Sequence, residues 1–179
     1  MNIDLSTRQF VDKDGSLLLF RGPNVVFKQE PFHPDLDSFN TSTSFCEKDV
    51  DSLASLGLNV IRLSVSWAAL EPERGTYNTA YLDKIRQIVH MCARREIYTL
   101  LEFHQDCLCE QLCGHGCPPW FYQSTWTYDW MKFPWPLRFW PFKTGGKDDV
   151  PLKSETRGWL WYLGYLTWAG GEAWRRCEA

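Results

Sequence analysis

The sequence predicts an α/β fold in which strands and helices alternate, as they do in the first units of a (β/α)8 barrel. Over the first 106 residues, short apolar stretches of strand length alternate with longer stretches of helical period, which is typical of βαβ units and a parallel sheet. Polar side chains follow all three predicted strands: Asn24 and Lys28 after the first, Arg62, Ser66 and Trp67 at the second, and His104 and Asp106 after the third. In a barrel, sites are built at that end of the strands.

A doubly wound sheet would have the same order of elements, but no Gly-x-Gly-x-x-Gly follows the first strand, so the barrel is favoured. A complete barrel takes about 250 residues, and only three strand–helix units are visible. We therefore expect a partial barrel, with an open sheet edge and exposed apolar surface. A truncated product, an isoform or a gene fragment fits this better than a complete enzyme.

The N-terminal element is predicted to be a β-hairpin. Its apolar runs, beginning at Phe10 and at Leu17, flank Asp14-Gly15, which supplies turn chemistry. Residues 21–24 are predicted to form a turn before the apolar run 25–28, and a polar loop is expected over 30–43.

The first helix is predicted to start at Ser44, with Glu47 three residues later as a capping box and Gly57 just past its end. Its apolar stripe comprises Phe45, Val50, Leu53 and Leu56. A buried strand over 59–65 follows, and then a loop over 67–75.

Asn78 is predicted to cap the second helix, and a strand over 97–103 follows it. The apolar residues of this helix recur at helical spacing; they are Tyr81, Leu82, Ile85, Ile88, Val89 and Cys92.

Three polar residues alternate at the end of the last strand. Glu102, His104 and Asp106 would share one face of an extended chain. Buried polar groups are costly unless they are satisfied or used. Either they close the strand end as a polar network, or they form a substrate-binding rim, which the strand-end context favours.

Composition excludes several classes of protein. The 179 residues are 44% apolar and 23% charged with a net charge of -3, which argues against disorder and gives no reason to expect nucleic acid. No apolar run is long enough to cross a membrane, and residues 1–10 lack the apolar core of a signal peptide. As written, the chain is expected to be cytosolic or truncated at its start.

Seven cysteines is an odd number, which does not suit a fully paired secreted framework. Cys107, Cys109, Cys113 and Cys117 crowd together with His104 and His115 close by. This group is the alternative of a metal-binding module, but its spacing is not a usual one for zinc. A Cys113–Cys117 or Cys107–Cys113 disulfide would need an oxidising compartment, so free thiols on a loop are favoured. We expect no metal and no cofactor.

Composition also divides the chain into three parts: 1–121 as the N-terminal part of the barrel, 122–158 as an irregular loop rich in proline and aromatic residues, and 159–179 as a helix. Prolines at this density exclude a helix or central strand. One interpretation of the aromatic segment is that it stacks on sugars or holds an acyl chain near a membrane surface. An aromatic lid, or a surface left bare by truncation, is the somewhat favoured alternative.

Five segments in order, RGPNVVFK, LASLGLNVIRL, SWAALEPERGTYN, EFHQD and CGHGCP, begin at residues 21, 53, 66, 102 and 113. Through them the chain, from about residue 21 to 121, resembles the endoglycoceramidase-like branch of glycoside hydrolase family 5, over the N-terminal half of a catalytic domain. The resemblance implies a (β/α)8 barrel and retaining hydrolysis of a β-glycosidic bond in a glycolipid such as a glycosylceramide or sterol glucoside.

The resemblance also assigns site residues. It places Lys28, His104 and Asp106 in the sugar subsite and Arg62 beneath the nucleophile. Glu102 stands where the family has aspartate, as a further substrate-binding residue. We take Asn24 and Trp67 as supporting the site.

Retaining hydrolysis needs two carboxyl groups roughly 5–5.5 Å apart. The family carries one in an Asn-Glu-Pro motif after the fourth strand and the other after the seventh, and this sequence contains no Asn-Glu-Pro. Glu71-Pro72 lacks the asparagine and follows the second strand. Glu102 and Asp106 would have Cα atoms about 13 Å apart in an extended strand.

We therefore expect no catalytic glutamate in these residues and no hydrolysis by the chain alone. The alternative is a non-catalytic glycolipid- or carbohydrate-binding protein. The expected partner is a glycolipid or oligosaccharide, with possible peripheral contact to a membrane surface, no transmembrane segment and no nucleic acid.

Overall fold

The computed structural model describes residues 1–106 and 115–123, and the backbone at 144–145 and 150–151. Its helices and strands are, in chain order, β1 (Asn2–Asp4), β2 (Gln9–Val11), β3 (Asn24–Val25), α1 (Glu47–Ser55), β4 (Val60–Val65), α2 (Trp67–Leu70), α3 (Thr79–Ala93), β5 (Tyr98–Phe103), α4 (Pro119–Gln123), β6 (Thr144–Gly145) and β7 (Val150–Pro151).

The chain divides into two compact units, with the division passing through β4, α3 and β5. The first comprises residues 1–26, 34–63 and 86–101, and the second comprises 27–33, 64–85 and the described residues from 102 onward. Among the described residues, no helix has the length and apolarity that crossing a bilayer requires.

A three-stranded sheet with the order β3-β4-β5 is central to the fold. Strands β3 and β4 are parallel, with Asn24 opposite Arg62. The Tyr98 N–H donates to the Asn59 carbonyl at 2.8 Å, and the His104 N–H donates to the Val65 carbonyl at 3.0 Å. From the first bond to the second, the donor and the acceptor each move six residues forward in the sequence. Strand β5 is therefore parallel to β4. The predicted parallel α/β sheet is confirmed, and helices α1 and α3 lie between its strands in sequence.

The core of the first unit lies where α1 and α3 bury their apolar stripes. Its most deeply buried side chains are Val50, Ile61, Leu63, Ile88 and Cys92. Burial raises the pKa of the Cys92 thiol to about 11, so this cysteine is an unreactive core residue. Cys46, Cys92 and Cys117, the cysteines of the described part, are all buried.

Ion pairs join α1 to the two arginines that directly follow α3. Arg95 pairs with Asp51 at 2.6 Å and also with Glu47, which is shared with Arg94. Arg94, Glu47 and Asp51 are exposed and Arg95 is partly buried, so the network contributes little to stability.

The first helix begins later than predicted. Cys46, rather than Ser44, is the N-cap, and the Asp49 carboxylate accepts from the Cys46 N–H at 2.7 Å and the Ser44 hydroxyl at 2.8 Å. Asp49 therefore has the capping-box role that was predicted for Glu47. The predicted end is confirmed, because Gly57 has a φ of +71° and the Gly57 and Leu58 N–H groups close a Schellman motif on Ala54 and Leu53. Leu56, predicted to be in the stripe, is 74% exposed.

The N-terminal hairpin lies earlier than predicted, since β1 pairs with β2. The Asp4 carboxylate accepts from the Ser6 N–H at 2.8 Å and so stabilises the turn between β1 and β2. The predicted partner run is reduced to one antiparallel bridge between Val11 and Leu17, although Gly15 does have the positive φ of a turn.

Two further predicted loops contain regular structure. Residues 21–24 were expected to turn, but the Arg21 and Pro23 carbonyls accept hydrogen bonds from the β4 side, and Asn24 opens β3. The start of the predicted 67–75 loop is the short helix α2, because Ser66 caps it by accepting from the Ala69 N–H.

Asn78 caps α3 as predicted, accepting from the Tyr81 N–H at 3.0 Å.

Most of the 122–158 segment and the whole predicted helix 159–179 lie outside the described residues. Inside that segment, β6 and β7 form a two-residue antiparallel pair where only irregular structure was expected.

Candidate functional site

Four side chains predicted to bind substrate lie together in the second unit. Glu102 is near the end of β5, His104 and Asp106 follow at alternate positions, and Lys28 follows β3 in sequence. The alternation predicted for the strand end places the two carboxylates on either side of His104.

His104 is the centre of this cluster. Its Nδ1 lies 3.2 Å from Glu102 Oε2, and its Nε2 lies 3.3 Å from Asp106 Oδ2. The Lys28 ammonium pairs with the same Asp106 oxygen. The side chain of His104 is 14% exposed, that of Glu102 28% exposed, and those of Lys28 and Asp106 more than 40% exposed. The cluster therefore has a protected centre and an accessible cationic end.

The Lys28 hydrogen bond and charge lower the pKa of Asp106 below its usual value, and His104 adds a smaller effect in the same direction. Asp106 is therefore an ionised acceptor at neutral pH. Because its carboxylate faces solvent in part, the ion pair positions the two groups more than it stabilises the fold.

The backbone around the cluster is held by three hydrogen bonds. The His104 N–H donates to Val65 at 3.0 Å, while Asp106 and His115 exchange a pair of bonds at 2.8 and 2.7 Å. The segment that starts at His115 thus fixes the chain at Asp106.

Trp67 belongs to an aromatic cluster in the same unit. Its ring centroid lies 4.8 Å from that of Phe121, 5.6 Å from Trp120 and 5.9 Å from Phe103. Phe103 separates Glu102 from His104 in sequence, so this cluster packs against the strand end that carries the candidate site. The supporting role of Trp67 stays a prediction.

Glu71 is a polar anchor that the sequence prediction missed. Its carboxylate accepts from Trp67 Nε1 and from the Gly75 N–H, each at 2.7 Å, and its carbonyl accepts from Trp120 Nε1 at 2.9 Å. The Gly75 bond and then the Trp67 bond lower its pKa. Since both carboxylate oxygens are occupied and the residue is 9% exposed, Glu71 organises the loop. A lone Glu-Pro in a polar loop gave no sequence signal for this.

Asn24 and Arg62 lie in the first unit, as register partners on β3 and β4. Arg62 lines a cavity of about 350 Å³ together with Phe10, Phe20 and Leu100. Their roles as residues that support the site stay predictions.

In residues 1–106 and 115–123, no three His, Cys, Asp or Glu side chains are arranged to hold a metal ion. Cys107, Cys109 and Cys113, three of the four cysteines considered as metal ligands, lie outside the described residues.

Chemically, the cluster offers donors and acceptors side by side. A retaining pair needs open space between two carboxyl groups for the anomeric carbon. Here the His104 imidazole occupies the interval between Glu102 and Asp106 and contacts both. The arrangement is suited to hydrogen-bonding a polyhydroxyl ligand, and not to cleaving a bond between these carboxylates.

Comparison with known proteins agrees with the resemblance seen in the sequence. The model of cellulase, glycosyl hydrolase family 5, matches residues 27–132. The endoglycoceramidase of Cyanea nozakii is 38% identical over 87% of this chain and 28% of its own length. That of Hydra vulgaris is 36% identical over 97% of this chain and 32% of its own length.

Solved structures show the same relationship. Endo-glycoceramidase II from a Rhodococcus species aligns with a TM-score of 0.56 and 25% identity, over 92% of this chain and 31% of that one. The family and these neighbours imply a TIM-barrel fold. The chain spans about three tenths of the length of the curated endoglycoceramidases above. Because the family model covers more than half of its residues, the chain belongs to glycosyl hydrolase family 5, and within it resembles the endoglycoceramidases.

Proposed function

We propose that Lys28, Glu102, His104 and Asp106 bind the sugar of a β-linked glycolipid, and that the chain is the N-terminal part of a retaining glycosidase barrel. Similar proteins carry the names endoglycoceramidase, glucosylceramidase and ergosteryl-beta-glucosidase. What these names share is a sugar joined to a lipid, which makes a glycolipid the expected ligand class.

The observation that carries the proposal is the continuous run of contacts from Lys28 through Asp106 and His104 to Glu102. Sugar hydroxyls both donate and accept hydrogen bonds, so a matching site needs ammonium or imidazole donors next to carboxylate acceptors. Bonds to charged partners are about twice as strong as neutral ones. The exposed ammonium and the partly exposed carboxylates leave room for such bonds.

We further propose that these 179 residues bind without hydrolysing. Of the carboxylates considered as a catalytic pair, Glu102 and Asp106 have His104 between them, and both oxygens of Glu71 accept N–H bonds. No Asn-Glu-Pro occurs in the sequence. A non-catalytic glycolipid-binding protein would use the same site, so this alternative rests on the same contacts.

The test combines binding and turnover in one set of variants. Purified protein is titrated with β-glucosylceramide in detergent micelles, with ceramide in the same micelles as the sugar-free control, and fluorescent glucosylceramide reports hydrolysis. We expect binding that requires the sugar, loss of binding in Lys28→Met, and no turnover.

Lys13→Met serves as the matched control, because Lys13 is an exposed lysine of the first unit. Equal binding of ceramide and glucosylceramide by folded protein would refute a sugar site. Turnover that is abolished by Glu102→Gln would instead show that the catalytic pair lies among these residues.

A further inference from the structure

We propose that Gly116 is a positioning residue for the sugar site. Its missing side chain lets the segment 115–117 lie directly against residues 104–106, and this contact sets the places of His104 and Asp106. The expected effect on sugar binding rests on the proposed function. The expected displacement of His104 and Asp106 rests on the geometry alone.

No room for a side chain exists at this position. A Cβ atom on Gly116 would lie 2.4 Å from the Gln105 Cβ, 2.8 Å from the Gln105 Cα and 3.0 Å from the His104 carbonyl oxygen. None of these atoms can swing away by side-chain rotation, because they belong to the backbone or are fixed to it. The φ of +134° at Gly116 is also one that residues with a Cβ rarely adopt.

Hydrogen bonds hold the two segments at this separation. Beside Gly116, His115 exchanges two backbone bonds with Asp106, at 2.8 and 2.7 Å. The chain therefore cannot relieve a clash at Gln105 by moving residue 116 alone. Relief requires moving the 104–106 backbone, which carries the two side chains of the site, or breaking the pairing.

A third contact ties the same glycine to α2. The Gly116 carbonyl accepts from the Ala68 N–H at 2.8 Å, next to Trp67, whose ring packs on Phe103 and Phe121. The segment 115–117 is therefore fixed on its other side as well, and a displacement is directed toward His104 and Asp106.

The His104 contacts at 3.2 and 3.3 Å are already near the upper limit of hydrogen-bond length. A backbone shift of several tenths of an ångström removes at least one of them. We expect Gly116→Ala to weaken sugar binding at least about tenfold, the effect of losing one or two charged hydrogen bonds.

The measurement is the imidazole NMR signals of His104, assigned by their loss in His104→Gln, in wild type and in Gly116→Ala. Gly57→Ala is the matched control, since Gly57 also has a positive φ, of +71°, but its Cβ would meet nothing within 4 Å. We expect a shift of the His104 signals in Gly116→Ala and none in Gly57→Ala. Unchanged His104 signals in folded Gly116→Ala would overturn the proposal.

Gln105→Gly in the Gly116→Ala background removes the closest contact and leaves the one at 2.8 Å. We expect signals and affinity between those of wild type and Gly116→Ala. If Gly116→Ala does not fold, the double variant carries the test: displaced His104 signals support the proposal, and wild-type signals overturn it. Shifted signals in a protein that binds no sugar, even as wild type, would refute the sugar site and leave the positioning of His104 established.

Discussion

His104 Nε2 lies 3.3 Å from Asp106 Oδ2, the same carboxylate oxygen that pairs with the Lys28 ammonium. One oxygen of Asp106 thus faces both the Lys28 ammonium and the His104 imidazole, whose other ring nitrogen faces Glu102. A neutral imidazole donates from only one ring nitrogen, so His104 can donate to both carboxylates only as an imidazolium. Charge on any of these four side chains affects the hydrogen bonds of the others.

Lys28→Met should raise the pKa of Asp106 toward its usual value. The Lys28 hydrogen bond and charge are the main causes of the depression, and methionine keeps the apolar stem. A carboxyl group whose pKa is lower in the folded than in the unfolded state stabilises the fold above the unfolded pKa of about 3.9. This stabilisation is lost as the pH falls through the lower folded pKa. In Lys28→Met, the free energy of unfolding should therefore depend less on pH in this acid range. The check is a carboxyl NMR titration of Asp106, with Lys13→Met as control; equal Asp106 midpoints would contradict the ion pair.

His104→Ala should weaken glycolipid binding about tenfold or more, because it removes the ring that lies between Glu102 and Asp106 and leaves at least one of these carboxylates without its donor. Titration with β-glucosylceramide measures the effect. His90→Ala, at an exposed site on α3, removes a histidine elsewhere and should leave the affinity unchanged. If both variants bind as wild type does, His104 is not in the subsite.

Local chemistry decided how much of the fold was predictable. Asn78 and Gly57 are found in their predicted capping positions, since the cap of α3 and the end of α1 depend on single residues and their immediate neighbours. The start of α1 was misplaced because two carboxylates, Glu47 and Asp49, compete within one turn. In the structure Glu47 pairs with Arg94 and Arg95, which are distant in sequence, and Asp49 accepts from the Cys46 N–H at the cap.

The candidate site was predictable where it depends on strand periodicity. The alternation of Glu102, His104 and Asp106 implied a shared face, and their contacts show it. The role of Glu71 was not predictable, because two of its three donors, Gly75 and Trp120, reach it through loop conformation and through contacts distant in sequence. Periodicity contains no information of that kind.

Glu71→Gln should destabilise the protein by about 1–3 kcal/mol, since the amide has one acceptor oxygen for two donors and directs its NH2 at an N–H. Hydrogen bonds from Gly75 and Trp67 depress the pKa of Glu71. Wild type should therefore lose stability as pH falls below about 4.3, the ordinary glutamate pKa, and the variant should lose less over that range. Urea melts at pH 7 and pH 3.5 measure this. Glu73→Gln, at an exposed neighbouring site, is the control, and identical pH dependence in all three proteins would refute the assignment.

Arg62→Ala should lower stability by about 1–3 kcal/mol, the usual range for loss of a polar anchor inside a sheet. Arg62 lies on β4 between Ile61 and Leu63, which are 0% and 1% exposed, and lines the 350 Å³ cavity. Thermal melts measure the effect, with Lys48→Ala on the exposed face of α1 as control. An unaltered melting temperature would show that Arg62 contributes nothing to folding.

Leu101→Lys should reduce concentration-dependent association of the chain. Strand β5 ends the three-stranded sheet of the described residues, and its Leu100, Leu101 and Phe103 are 58%, 55% and 58% exposed. An apolar edge strand is a template for pairing with other chains, and a lysine there opposes such pairing. Leu56→Lys is the matched control, because Leu56 is 74% exposed but follows a helix. Sedimentation velocity over a range of concentrations should show more monomer for Leu101→Lys than for Leu56→Lys or wild type. Equal association in all three would mean that self-association, if present, does not use this strand.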